Sequence, residues 1–239
     1  MRDVLSMARM SRTFRALAAL TILSIALTGC TKKKESDPST LPAGSQLMAE
    51  GDKAMSDVKS AHFVIAVNGT ISGVPLSKAE GDLTREGNAK GTATIDNSGL
   101  KMEAAFVIID ESLYLKLATG GYQKLPLAVA ATVYDPSAIL DPQRGAAKLL
   151  RTAKNPKTEA KEQVDGKDTY RVSFEPDASA LAALIPTTAS GVSAVVWLDA
   201  GTKRIAKAEF GIPQAGSGTK STVTVTFSKY DEPVNISAP

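Results

Sequence analysis

From His62 to Phe227 the chain is built of short runs in which apolar and polar residues alternate, and the pattern recurs about ten times between turn signals. Phe63, Ile65 and Val67 alternate in the first run. Gly91, Ala93 and Ile95 alternate with Lys90, Thr92 and Thr94 in another. Leu100, Met102, Ala104, Phe106 and Ile108 share one side of the next, with Lys101 and Glu103 on the other. Leu113, Leu115 and Leu117 come after it, with Tyr114 and Lys116 facing away. After the turn pair Asp165-Gly166 come Tyr170, Val172 and Phe174. Val192, Ala194, Val196 and Leu198 come next, then Ala206, Ala208, Phe210 and Ile212, and finally Val223, Val225 and Phe227 between threonines. Side chains on a strand point to opposite faces with period two. A chain that repeats this pattern folds as an antiparallel sheet with one apolar, covered face and one wet face.

Helices must supply the cover, and the sequence offers few. From Ser45, residues Leu47, Met48, Gly51, Ala54, Met55 and Val58 form an apolar stripe opposite Glu50, Asp52, Lys53 and Asp57. Residues 136–153 hold Ile139, Leu140, Leu149 and Leu150 but are interrupted near Pro142 and Gly145, and a short amphipathic piece starts at the Asp177 cap and runs to Leu184. So wide a sheet has to curl to be covered by so little helix. The expected fold is α+β, a strongly curved antiparallel sheet with helices across its concave face.

Whether that concave side is filled is left open by the pattern. Gly91, Ala93, Ala104, Ala194, Ala206 and Ala208 are small, and aromatics make up only 5% of the chain, so little volume points inward. Helices packed tightly on alanines would give a dense core, which pattern alone favours. A looser cover would leave an apolar cavity.

The amino terminus carries a different signal. Arg2, Arg9, Arg12 and Arg15 precede an apolar run from Ala16 to Leu27, and Thr28-Gly29 leads to Cys30, the single cysteine. This is a secretory leader over residues 1–29, too short to be a spanning helix. Leu27-Thr28-Gly29-Cys30 matches a lipobox, whose cysteine sulfur takes a diacylglyceryl group before the leader is cut away. Cys30 is therefore the expected attachment point to the membrane, and the domain is expected outside the cytoplasm. Residues 31–44 read as a polar, proline-bearing tether of about 20 Å, in which Lys32, Lys33 and Lys34 would lie against anionic headgroups. A single globular domain is expected over 45–239. The chain has 28 Lys and Arg against 25 Asp and Glu, but the excess belongs to the leader's four arginines and single aspartate. From Cys30 onward the chain is neutral overall, which gives no basis for nucleic-acid binding.

Little in the sequence points to catalysis. His62 is the only histidine and stands where the first helix passes into the first strand, so an imidazole pair for a metal is impossible and a helix-end role is expected. The glycine-rich stretch Gly211 to Ser221 has its lysine four residues beyond Gly216 and reads as a hairpin loop, not a phosphate cradle. Glu159, Glu162, Asp165 and Asp168 form a solvated face. No cofactor, metal or enzymatic activity is expected.

Taken in order, these features resemble a known family. The lipobox, Ser60-Ala61-His62-Phe63, Val67-Asn68-Gly69, Gly81-Asp82-Leu83, Ala105-Phe106-Val107 with Leu113-Tyr114, Tyr134-Asp135-Pro136 with Leu140-Asp141-Pro142, Val196-Trp197-Leu198 and Ser228-Lys229-Tyr230 together look like the LppX/LprA/LprF/LprG lipoproteins of mycobacteria and related actinobacteria, nearest to the LprG members. The resemblance implies a half-barrel whose helices enclose a hydrophobic cavity for the acyl chains of envelope lipids. Implied cargoes are triacylated lipoglycans or triacylglycerol-type lipids, carried toward the cell surface, and the implied protein partner is a transporter of the major facilitator class. Carried over by position, the lipid-cavity wall would be Phe63, Ile65 and Val67, then Gly91, Ala93 and Ile95, then Met102, Ala104, Phe106 and Ile108. Ile139 and Leu149 would close it from the helical side. The competing readings are an envelope scaffold or transporter partner that holds no lipid and, more distantly, an esterase that would have to use His62.

Overall fold

The structure, a computed structural model of the chain, describes residues 40–71, 75–97, 99–128, 138–185, 190–214, 216 and 218–239. The leader, Cys30, the tether through Ser39 and the Tyr134-Asp135-Pro136 segment lie outside these residues.

Two antiparallel meanders make one sheet. The first comprises β1 (Ser60–Asn68), β2 (Leu76–Thr84), β3 (Ala89–Asn97), β4 (Leu100–Ile109), β5 (Ser112–Leu117) and β6 (Gln123–Pro126). The second comprises β7 (Lys154–Val164), β8 (Lys167–Glu175), β9 (Ser193–Asp199), β10 (Ile205–Pro213) and β11 (Lys220–Ser228). Their first and last strands, β1 and β11, join them, giving an 11-stranded order β6-β5-β4-β3-β2-β1-β11-β10-β9-β8-β7. The fold is α+β, as the alternation predicts. β6 is a strand the alternation did not reveal, because four residues are too few to show a period.

Local chemistry explains the joints. Asp165 and Gly166 both take positive φ, 49° and 77°, the two-residue turn that matches strand twist between β7 and β8. Gly81 and Gly91 face each other across β2 and β3, where a Cβ on either would come within 2.1 Å of the opposite backbone carbonyl. The two backbones can come this close here only because neither residue carries a side chain.

The helices lie on the apolar face. α1 (Gly44–Ser56) buries Leu47, Met48, Gly51 and Met55. Gly44, read from sequence as tether, is its buried first residue, and Pro42 just before it accepts a hydrogen bond from Thr158 Oγ1 at 2.7 Å. At the other end Arg85 donates from Nε to Val58 O (2.8 Å) and from Nη2 to Ser56 O (2.6 Å), satisfying carbonyls the helix leaves open. α2 (Ala146–Arg151) packs against α1 at Gly51, where an added Cβ would meet Leu150 Cδ1 at 2.9 Å and Leu198 Cδ2 at 3.3 Å. Arg151 also pairs with Asp52 at 3.1 Å. α3 (Ala178–Leu184) starts at Asp177, whose Oδ1 accepts from the Ser179 and Ala180 amides.

One strand departs from simple alternation. A bulge in β10 between Ile205 and Lys207 turns Ile205 into the core, buried at 1%, and leaves Ala206 off the inward set to which alternation assigns it.

Candidate functional site

Between the sheet and α2 lies a cavity of about 360 Å³ whose lining, among the described residues, is entirely apolar. Its floor comes from the inward faces of β1 to β5 and of β10 and β11. Its roof comes from Ile139, Ala146 and Leu149 at α2 and from Leu184 and Ile185 at the end of α3. The strand register explains how the space arises. One row across the sheet reads Phe227, Phe63, Gly81, Gly91, Phe106, Leu115, and the next reads Val225, Ile65, Ala79, Ala93, Ala104, Leu117. In these two rows β2 and β3 contribute only hydrogen or methyl groups between larger residues on the neighbouring strands, so the middle of the trough has nothing there tall enough to reach the helices.

Phe63, Ile65, Val67, Ala93, Ile95, Phe106, Ile108, Ile139 and Leu149 all lie on this wall. The other three positions nominated from sequence do not. Gly91 has no side chain to present and serves as half of the close backbone approach with Gly81. Ala104 is 2% exposed, its methyl covered between the cross-strand neighbours Ala93 and Leu117. Met102 sits beyond the end of the cavity and is 38% exposed. Leu113, Leu115, Ala208, Phe210, Val223, Val225 and Phe227 were legible as inward residues and belong to the wall as well. Ile205, Ile71 and Pro75 had no periodic signal. The first enters through the bulge, and the other two stand outside the long strands.

The described wall residues offer desolvation and shape, with no charge, nucleophile or proton carrier among them. An alkyl chain moved into the cavity from water gains about 0.8 kcal/mol per methylene. The volume falls within the range of about 300–1,000 Å³ usual for small-molecule sites. His62 is remote from this chemistry and is not a helix cap, because α1 has already ended and Arg85 holds its carbonyls. It is a β1 residue on the opposite face from Phe63, with Nδ1 2.8 Å from Asp82 Oδ1 and Nε2 3.8 Å from Glu80 Oε1. Among the described residues no group of three or more His, Cys, Asp or Glu is placed to hold a metal, and no helix is long and apolar enough to cross a membrane.

The carboxyl-terminal segment fastens α1 to the sheet. Tyr230 donates to Ile205 O at 2.6 Å and touches Met55 Sδ, and burial holds its phenol well above the ordinary tyrosine range. Asp231 accepts from the Lys59 amide at 2.8 Å and pairs with Arg204.

Both the sequence and the fold have known relatives. The family model described as LppX_LprAFG lipoprotein matches residues 43–236. The chain is 30% identical to the lipoarabinomannan carrier protein LprG of Mycobacterium leprae over 95% of both chains. It is 31% identical to the protein of that name from Mycobacterium tuberculosis H37Rv over 97% of both. Among solved structures, LprF from Mycobacterium bovis superposes with a TM-score of 0.70 at 24% identity, covering 86% of this chain and 99% of that one. LppX from Mycobacterium tuberculosis gives 0.61 at 22%, covering 84% and 100%. Both share the fold. With the model matched across nearly the whole described domain and full-length relatives at this identity, the chain belongs to the LppX/LprAFG lipoprotein family.

Proposed function

We propose that the protein is a non-enzymatic lipoprotein, anchored outside the cytoplasm through acylated Cys30, that holds acylated envelope lipids in its cavity and carries them toward the cell surface. The wholly apolar cavity of about 360 Å³ carries this reading. Its described lining residues carry no reactive group and a great deal of apolar surface to solvate a lipid. The names of the curated relatives support a lipoglycan of the lipoarabinomannan class as cargo. Its acyl chains would occupy the cavity while the sugars, too polar to desolvate without partners, stay in water. A transporter of the major facilitator class would be its partner in the membrane.

The test is lipid identification. The chain purified from membranes is extracted with organic solvent, which removes passengers but leaves acyl groups bonded to Cys30. Mass spectrometry should then find acylated lipid near one equivalent per chain. An extract without lipid would sink the carrier reading and favour a scaffold.

A further inference from the structure

The two ends of the trough are finished differently. At one end the strands are closed by polar contacts: Arg85 on the α1 carbonyls, Asp231 on the Lys59 amide, and Ser60 Oγ donating to Glu232 O at 2.7 Å. At the other end, where β4 begins and β5 stops, Leu100 is 66% exposed, Leu117 44% and Met102 38%, with Tyr122 beside them at 41%. Leu100, Met102 and Leu117 point to the cavity side of the sheet. Met102 pairs with the wall residue Ile95, and Leu117 stands two residues past the wall residue Leu115. The exposed patch is therefore the cavity wall continued past its end into solvent. Contiguous apolar surface of this kind marks a contact site.

Charge selects the contact. Residues 112–128 contain no Asp or Glu but hold Lys116 and Lys124, both exposed, and Lys101 stands at the start of β4. Lys116 Nζ lies 5.8 Å from the Tyr122 ring centroid and Lys124 Nζ 5.6 Å from that of Tyr114. Lys101, Lys116 and Lys124 stand on the outer face of the sheet, and so do the two nearby acids, Asp96, opposite Lys101 in the register, and Glu103, so the cations outnumber the acids there by three to two. Apolar side chains flanked by tyrosines and lysines are what an interface with anionic headgroups favours.

We infer that this end of the sheet docks on the surface of an anionic lipid bilayer and that acyl chains pass between bilayer and cavity across Leu100, Met102 and Leu117. The inference rests on the carrier reading and adds where the lipid crosses.

The full chain is reconstituted into donor vesicles of phosphatidylethanolamine and phosphatidylglycerol carrying a self-quenched fluorescent diacyl lipid, and transfer to unlabelled acceptor vesicles is followed by dequenching. A Leu100→Asp/Leu117→Asp variant should transfer about tenfold more slowly, because the docking face now repels the headgroups. Its lipid content after equilibrium loading from detergent micelles should equal that of the unaltered chain. Equal transfer rates would overturn docking while leaving the carrier reading intact. A parallel loss of equilibrium content would make these residues cavity wall, not a docking face, and would also overturn it. A self-association abolished by the variant, with transfer unchanged, would assign the patch to a second copy. If the unaltered chain retains no lipid from micelles, the carrier reading fails and takes this inference with it.

Discussion

Small residues face inward in both halves of this sheet, yet one half is packed solid and the other is hollow. Under α1, Gly51 lets the helix descend onto β9 until Leu150 and Leu198 fill the gap, and Leu47, Val58, Val172, Val196 and Leu198 are all but completely buried. Under α2, the alanine and glycine positions of β2 and β3 meet no such descent, and a cavity remains. A tight core and a pocket, alternatives at the level of pattern, coexist in one domain. What separates them is the height of the sheet residues: Val172, Val196 and Leu198 reach up to a helix that Gly51 lets come close, whereas Ala79, Gly81, Gly91 and Ala93 leave the space below Ala146 and Leu149 unfilled. Close packing needs both surfaces to approach.

Removing volume and adding volume should therefore act differently in the two halves. The largest loss of stability is expected for Leu198→Ala, which empties a site α1 cannot collapse into. About 3 kcal/mol is expected from denaturant midpoints at constant m-value. A loss of less than a third of that would mean that the α1 half is not tightly packed. Gly51→Leu adds volume in the same place and should cost about 2 kcal/mol by forcing the helix off β9. Arg85→Ala leaves the carbonyls of Ser56 and Val58 without their donors and should cost about 1–2 kcal/mol. It should also raise amide exchange in the last turn of α1. In the hollow half Ala93→Trp adds more volume than Gly51→Leu, yet it should change stability by less than about 1 kcal/mol, because the cavity takes the indole. It should abolish lipid uptake. If both enlargements destabilise equally, the distinction between the halves is wrong.

Much of this arrangement is legible in the amino-acid sequence, for a reason visible in particular residues. Phe63, Ile65, Val67, Ala93, Ile95, Phe106 and Ile108 are wall residues because period two fixes which side a strand residue faces, and alternation can be read one residue at a time. Ile205 is illegible there because a bulge is a property of the pairing between β9 and β10 and leaves no mark on one strand alone. Gly91 is misplaced by alternation for a related reason: its role depends on Gly81 lying directly across from it. Met102 has the right parity, but parity does not say where along a strand the helical cover ends.

The smallest expected effect concerns the polar end of the trough, and it tests whether the two ends are held by different forces. At Asp231, partial burial pushes the carboxyl pKa up. The hydrogen bond from the Lys59 amide and the Arg204 guanidinium outweigh it and hold the group below the ordinary aspartate value of 3.8. A carboxyl whose folded pKa is depressed contributes stability at pH values above its unfolded pKa, and loses that contribution as pH falls through the folded value. Acidification from pH 5 toward about pH 2–3 should therefore weaken the attachment of the carboxyl-terminal segment. Asp231→Asn should remove that part of the acid dependence, so that denaturant midpoints of the two chains differ at pH 7 and converge as the pH is lowered. Because Asp231 stands at the end of the trough away from the apolar rim at Leu100, Met102 and Leu117, a contribution confined to that closed end should leave lipid transfer in vesicles of neutral headgroup unchanged by Asp231→Asn. A change in transfer would mean that the closed end, and not the apolar one, controls access to the cavity.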